Sequence, residues 1–162
     1  METVFESENI LFVKVSEDLL QDYLDMVNDI DRVALYIGKR TAAYSADEEM
    51  RFISDKLAEN APIYSMIQKK GGEFIGNIEL MHIEDGCGEL GIAITAGKQN
   101  MHYGTEAIDR MLEYGFGKLG LTKVILKVYP YNQRAIHVYE TCGFVKYDEN
   151  DNDIFMEIVR EK

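Results

Sequence analysis

Cysteine is nearly absent from this sequence: Cys87 and Cys142 are the only two, and they lack metal-type spacing. That argues against a disulfide scaffold and fits a reducing compartment, so a cytoplasmic location is expected. Proline is as scarce, with Pro62 and Pro130 the only two, and no linker, repeat or low-complexity tract divides the chain. A single domain over residues 1–162 is expected, long enough to bury a full core. No apolar run approaches the ~20 residues of a membrane span, and Met-Glu-Thr-Val-Phe-Glu-Ser-Glu does not read as a signal peptide. Basic residues are also short: 17 Lys and Arg against 29 Asp and Glu give a net charge of −12. Nucleic acid is therefore not an expected partner, because phosphate binding needs a basic surface. The same balance would help steer a cationic partner, or would simply keep the chain soluble.

What is present reads as alternating elements. Ile10 to Val15 predicts a first strand, and Ser16 can cap a helix whose apolar residues Leu20, Tyr23, Leu24 and Val27 follow a 3.6-residue period. Ser45-x-x-Glu48 is a capping-box pattern, with Met50, Ile53 and Leu57 continuing that helix on one face. From Ile63 the period becomes two: Ile63–Lys69 and Glu73–Ile83 flank Lys70-Gly71-Gly72 as a hairpin, and a turn at Glu84–Gly88 leads into Glu89–Thr95. Ile108, Met111, Leu112, Gly115 and Leu119 restore the helical stripe, and the Asp148–Asp153 run is a polar turn within a last hairpin, Val145–Val159. The order is a strand, two helices, a three-strand meander, then helix, strand, helix and hairpin. An α/β (α+β) domain is expected, with a mixed sheet and flanking helices.

Residues 132 to 144 carry the most information. Asn132 is a favoured N-cap, Gly143 can supply the left-handed turn that ends a helix, and Tyr139 lies two turns from Asn132 on the same face. Upstream, Val124, Leu126 and Val128 alternate on one side of a strand that Pro130 stops. The spacing Asn132-x-x-Ala135-x-x-x-Tyr139-x-x-x-Gly143-Phe144 resembles the cofactor-binding helix of the GNAT superfamily, the acetyl-coenzyme A-dependent N-acetyltransferases. The phrases Phe74-Ile-Gly-Asn-Ile-Glu79 and Ala135–Phe144 are similar to the branch that holds spermidine and ribosomal-protein N-terminal acetyltransferases.

The resemblance implies a mostly antiparallel sheet with a splayed cofactor cleft, acetyl-coenzyme A as co-substrate, and no metal. It implies that Asn132 contacts the pantetheine arm and that Tyr139 stands by the thioester sulfur as general acid. Gln99 to Thr105 resembles the turn that wraps the cofactor's pyrophosphate. Gln99, Met101, His102, Tyr103, Gly104 and Thr105 are the expected contacts there, with Ile92 and Ile94 from the preceding strand. A strand-to-helix turn presents free N–H groups at the positive end of a helix dipole, which suits an anion. His102 departs from the pattern, since glycine usually stands at that place. At negative φ its amide would still face a phosphate. Lys98 and Arg134 are the nearest counterions.

Acetyl transfer to an amine also needs a base, because an alkylammonium near pKa 10.4 is about 3 units from neutrality, roughly 4 kcal/mol. Glu89 is the first candidate, and Glu79 the second, with binding of the substrate's ammonium as its other role. The reading is an N-acetyltransferase acting on a small amine, a polyamine or a protein N-terminus, by direct attack in a ternary complex. The alternative is a non-catalytic module of the same fold that binds an acyl-coenzyme A or a metabolite. A homodimer is a family-level expectation. Substrate choice is expected from the first two helices, the loop at about 34–45, and the last hairpin. His82, His102 and His137 have no close carboxylate or cysteine at ligand spacing, which argues against a structural metal. No Gly-x-x-x-x-Gly-Lys-Ser/Thr loop supports nucleotide hydrolysis.

Overall fold

The computed structural model describes residues 1–34, 36 and 43–160. Its sheet has eight strands: β1 (Thr3–Glu6), β2 (Ile10–Lys14), β3 (Ile63–Gln68), β4 (Phe74–Glu84), β5 (Cys87–Ile94), β6 (Lys123–Val128), β7 (Val145–Glu149) and β8 (Ile154–Val159). Their order across the sheet is β1-β2-β3-β4-β5-β6-β8-β7. Every neighbouring pair is antiparallel except β5 with β6. Ile10 thus opens the second strand, not the first. The short β1 before it is exposed over most of its length and has no alternating pattern to announce it.

Among the described residues four α-helices flank the sheet: α1 (Leu20–Val27), α2 (Ala46–Ala58), α3 (Tyr103–Gly117) and α4 (Gln133–Thr141). The start signals work as the sequence suggests. Ser16 Oγ accepts from Asp18 N–H at 3.2 Å and opens the turn before α1. Ser45 and Glu48 form a reciprocal capping box that opens α2. The stripe on α2 is shifted, however: Ile53 is buried and Leu57 is 47% exposed, with Glu49 turned inward instead. On α3, Ala107, Ile108, Met111, Leu112 and Gly115 are buried, and Leu119 falls beyond the helix end.

Period-two alternation puts the strands between two cores. On β3, Tyr64 and Met66 join the cluster that holds Ile108 and Met111 of α3 and Phe144 after α4. Ile63 and Ile67 point the other way, to Tyr23 and Met26 of α1 and Ile53 of α2. Central strands covered on both faces fix the register, because a one-residue slip would exchange the two sets. Gly76 locks it further: a Cβ there would lie 2.0 Å from Ala93 O on β5.

A candidate active site where two strands part

The parallel pair β5–β6 is joined only at Cys87–Glu89 against Lys123–Ile125. Beyond that, β6 follows β8 while β5 runs on to Ile94, and a gap opens between them. Thr95 donates its N–H to Ile75 O, towards β4, at 2.9 Å. Alternate residues send their backbone groups to opposite edges, so the N–H groups of Ile92 and Ile94 point into the gap. The splayed cleft expected from the sequence is this gap.

The chain leaves β5 through the 3-10 turn Ala96–Lys98 and enters α3 at His102. His102 does not keep a negative φ. It sits at φ +68°, ψ 7°, the left-handed conformation in which glycine is unstrained, and Asn100 is at φ +61°. The histidine therefore reproduces the backbone that its β-carbon disfavours. As N-cap residue it gives no side-chain cap, and the backbone bond that opens α3 runs from Glu106 N–H to His102 O at 3.3 Å. The N–H groups of Tyr103, Gly104 and Thr105 accordingly open the helix without intrahelical acceptors. They stand at the positive end of a 15-residue helix, a site whose donors suit a phosphate.

This turn borders a cavity of about 530 Å³. All the residues named from sequence for the cofactor line it except Met101, which is 53% exposed on the outer side of the turn. Gln99 lines it but is engaged: its Nε2 donates to Ile94 O at 3.0 Å and to Arg32 O at 3.1 Å. It ties the turn to β5 and to the π-helical turn Ile30–Ala34. Lys98, with Nζ 3.3 Å from Glu73 and 3.4 Å from Gln68, is similarly anchored. Arg32, Lys98, Lys127 and Arg134 all border the cavity, and among the described residues no aspartate or glutamate does.

The opposite wall is α4. Asn132 Oδ1 accepts from Ala135 N–H at 3.3 Å, and the helix ends before Gly143 at φ +105°. Asn132 spends its oxygen on the cap, which leaves Nδ2 as the group it can offer to the cavity. Tyr139 stands two turns along the same face, its ring centroid 6.0 Å from that of Phe144. Burial, with a smaller contribution from Cys142, pushes the Tyr139 phenol up to about 12. Cys142 is itself raised to about 12, by burial first and then by Asp109.

Tyr139 also borders a second cavity of about 400 Å³ on the other side of the parted strands. Its carboxylates come from Glu48, Glu49, Glu79, Glu89 and Asp153, and Lys127 is the one cation among its described lining residues. Glu79 on β4 faces Gly91 on β5, and a Cβ there would lie 3.3 Å from Glu79 Cγ, so the glycine makes room for that side chain. Lys56 Nζ approaches Glu79 at 3.8 Å. Burial nevertheless raises the Glu79 carboxyl above its usual range, against the opposing pull of Lys56 and His82. Glu89 is held by His82, Nδ1 to Oε1 at 3.1 Å.

The structure thus brings Tyr139, Glu79 and Glu89 to one place. It also adds Glu48, Glu49, Asp153, Arg32 and Lys127, none of which the sequence pointed to as a site residue. Glu48 was legible only as a helix cap, and nothing in the local pattern of the others announced a shared wall. Of the segment at 34–45 expected to choose the substrate, residues 35 and 37–42 lie outside the described residues, while Tyr36 borders both cavities and Tyr44 the second.

The chain matches the family described as Acetyltransferase (GNAT) domain over residues 9–145. It is 32% identical over 104 residues to the spermidine N(1)-acetyltransferase of Vibrio cholerae, covering 63% of this chain and 60% of that protein. To the spermidine N(1)-acetyltransferase of Escherichia coli K12 it is 30% identical over 115 residues, 70% of this chain and 62% of the relative. These matches span about three fifths of each relative's length. Among solved structures, a GNAT-family acetyltransferase from Bacillus anthracis superposes with a TM-score of 0.84 at 18% identity, covering 98% of both chains. The Vibrio cholerae spermidine N-acetyltransferase in complex with CoA and spermine superposes with a TM-score of 0.78 at 24% identity, over 93% of this chain and 95% of that one. With the parted strands, the donor-lined turn and the capped helix already in place, the family match over residues 9–145 makes this chain a member of the GNAT acetyltransferase family.

Proposed function

We propose that the protein transfers an acetyl group from acetyl-coenzyme A to a primary amine on a small cationic molecule, of which a polyamine is the leading class. The observation that carries this is the meeting of two cavities of opposite charge at Tyr139. One is bordered by Arg32, Lys98, Lys127 and Arg134, the other by Glu48, Glu49, Glu79, Glu89 and Asp153. The acetyl donor supplies an activated acyl group as a thioester. The N–H groups of Tyr103, Gly104 and Thr105 would hold its diphosphate, and those of Ile92 and Ile94 its pantetheine arm, with Asn132 Nδ2 opposite. Arg32 and Lys98 are paired with Asp29 and Glu73, so Arg134 and Lys127 are the lining cations with no ion pair among the described residues to compete for a phosphate.

On the acceptor side, Glu79 holds the ammonium and Glu89 takes the proton that the amine must lose before attack. Tyr139 gives its phenolic proton to the sulfur as the carbon–sulfur bond breaks. Amine and thioester meet through the parted strands, so the attack is direct, within a ternary complex. The names of the relatives, two of them spermidine acetyltransferases, support a polyamine over a protein N-terminus. A pocket of about 400 Å³ walled by carboxylates also suits a small amine better than a polypeptide end. The test is calorimetry with coenzyme A, followed by thiol release from acetyl-coenzyme A with a panel of diamines, polyamines and peptides. Binding with release on cationic small amines is expected. Binding without release on any amine would leave a non-catalytic acyl-coenzyme A module.

A further inference from the structure

Glu89 is set back from solvent while the histidine bonded to it is not: their side chains are 20% and 77% exposed. A recessed base that accepts a proton in every turnover needs a route by which that proton leaves. His82 is placed on such a route by an irregularity in β4. The β4–β5 register shifts between Met81, paired with Glu89, and Glu84, paired with Cys87, so β4 carries one extra residue there. In an unbroken strand residue 82 would face away from Glu79 and Met81. At the bulge His82 takes a left-handed φ of +50°, and its imidazole comes back to Glu89. A non-glycine residue in that conformation carries strain, and bulges often re-aim a side chain near a functional site.

We propose that His82 is the proton outlet of the acceptor pocket, passing to water the proton that Glu89 takes from the amine. The inference rests on the reading of Glu89 as the base. The balance is simple. The ammonium gives a proton to a Glu89 oxygen and becomes the free amine. The carboxylic acid gives that proton to His82 Nδ1, which restores the carboxylate and forms imidazolium. Nε2 then loses its proton to water, and the exposed ring resets its tautomer by exchange with solvent. No electron moves, and the net change is one proton from substrate to bulk. The titratable groups that interact with this pair are Glu79 on β4, with Lys56 of α2 beside it, and the neutral phenol of Tyr147 on β7, which also neighbours Cys87 and Glu157. His82 does not touch the amine; it acts through Glu89.

The test uses His82→Asn, because asparagine tolerates left-handed backbone and its amide can still donate to Glu89. The hydrogen bond and the bulge survive and only the relay is lost. Expected at pH 7 are an unchanged melting temperature, an amine KM within about two-fold and a kcat roughly tenfold lower, a modest share of the effect of general acid–base groups. Added imidazole should restore the rate in proportion to its concentration in His82→Asn and not in the parent. Glu89→Gln, measured alongside, should be slow and insensitive to imidazole. Parental kcat in His82→Asn with no response to imidazole, while Glu89→Gln is slow, overturns the outlet and leaves the base intact. Parental kcat in Glu89→Gln overturns both.

Discussion

Replacing Tyr139 by phenylalanine removes one oxygen and keeps the ring against Phe144. The size of the effect turns on proton affinities. A thiol in water has a pKa of about 8.5. Against a phenol at about 12, proton transfer to a free thiolate would be uphill by roughly 5 kcal/mol. That mismatch would make Tyr139 a poor acid, were the thiolate in water. It is not. Cys142, at the C-cap of the same helix, shows the direction in which burial moves a sulfur here: its own thiol is raised to about 12, by burial first and then by Asp109. A thiolate leaving beside Tyr139 is destabilised in the same direction, and the two affinities approach each other. In the proposed role the phenol donates as charge develops on sulfur, a contribution on the order of 10²–10³ in kcat, about 2.7–4 kcal/mol, for a single preorganised donor. Tyr139→Phe should show that loss in thiol-release assays at saturating acetyl-coenzyme A and amine, with the acetyl-coenzyme A KM within a few-fold. The sign of the pH effect is also fixed. The working form is the neutral phenol, and a value of about 12 keeps it neutral throughout the assay range. No alkaline loss of kcat below about pH 11 should come from Tyr139. A kcat within a few-fold of the parent, or an alkaline limb near pH 9 that the variant abolishes, would refute the argument.

Two further substitutions read the strain and burial in the site. His102→Gly removes a left-handed cost of about 1–2 kcal/mol but adds chain entropy worth about 0.5–1 kcal/mol. A net gain of up to roughly 1.5 kcal/mol is expected, seen as a melting temperature a few degrees higher, with the acetyl-coenzyme A KM unchanged or lower; a lower melting temperature means that the histidine is not strained. Glu79 has a raised folded pKa, so its protonated form favours the fold. The stability it contributes is full below its ordinary value of 4.5 and is lost as pH rises through the folded value. Glu79→Gln should therefore flatten the acid side of the stability profile and melt no lower than the parent at pH 7, while raising KM for a diamine about tenfold, or ~1.4 kcal/mol. A clear fall in melting temperature at pH 7 would show that the Lys56 contact outweighs the burial.

The fold was readable wherever a residue's periodicity and its cap agreed. Ser45 with Glu48, Asn132 with Gly143, and the alternation of Val124, Leu126 and Val128 each bound local conformation to one face of one element. The donor-lined turn was readable for the same reason, because its N–H groups are consecutive backbone groups at the start of α3, next to the end of β5. The acceptor side was not. Its carboxylates come from α2, β4, β5 and the turn before β8, so they meet only when the sheet and the first helix pair are assembled. His82 was legible as a histidine without a partner at metal spacing, because the bulge that turns it toward Glu89 leaves no mark in a strand of otherwise regular pattern. Leu57 misled through an apolar spacing that ran past the last turn of helix in contact with the core.

The charge distribution resolves a conflict posed by the composition. On the proposed function, a chain of net charge −12 must draw in a polyanionic donor while it attracts a cationic acceptor. The fold separates the two tasks, with carboxylates around one cavity and none among the described lining residues of the other. At long range the net charge repels the donor, and at short range Arg32, Lys98, Arg134 and the free N–H groups attract it, so salt weakens two opposing effects. For the amine both ranges attract, so salt weakens two effects of the same sign. Between about 0.01 and 0.15 M salt the screening length falls from roughly 30 to 8 Å. Over that range kcat/KM for a polyamine should fall steeply, and kcat/KM for acetyl-coenzyme A should change less. Initial rates with each substrate varied in turn at saturating partner measure both slopes. Equal slopes, or an amine slope near zero, would show that the acidic cavity does not receive the cation.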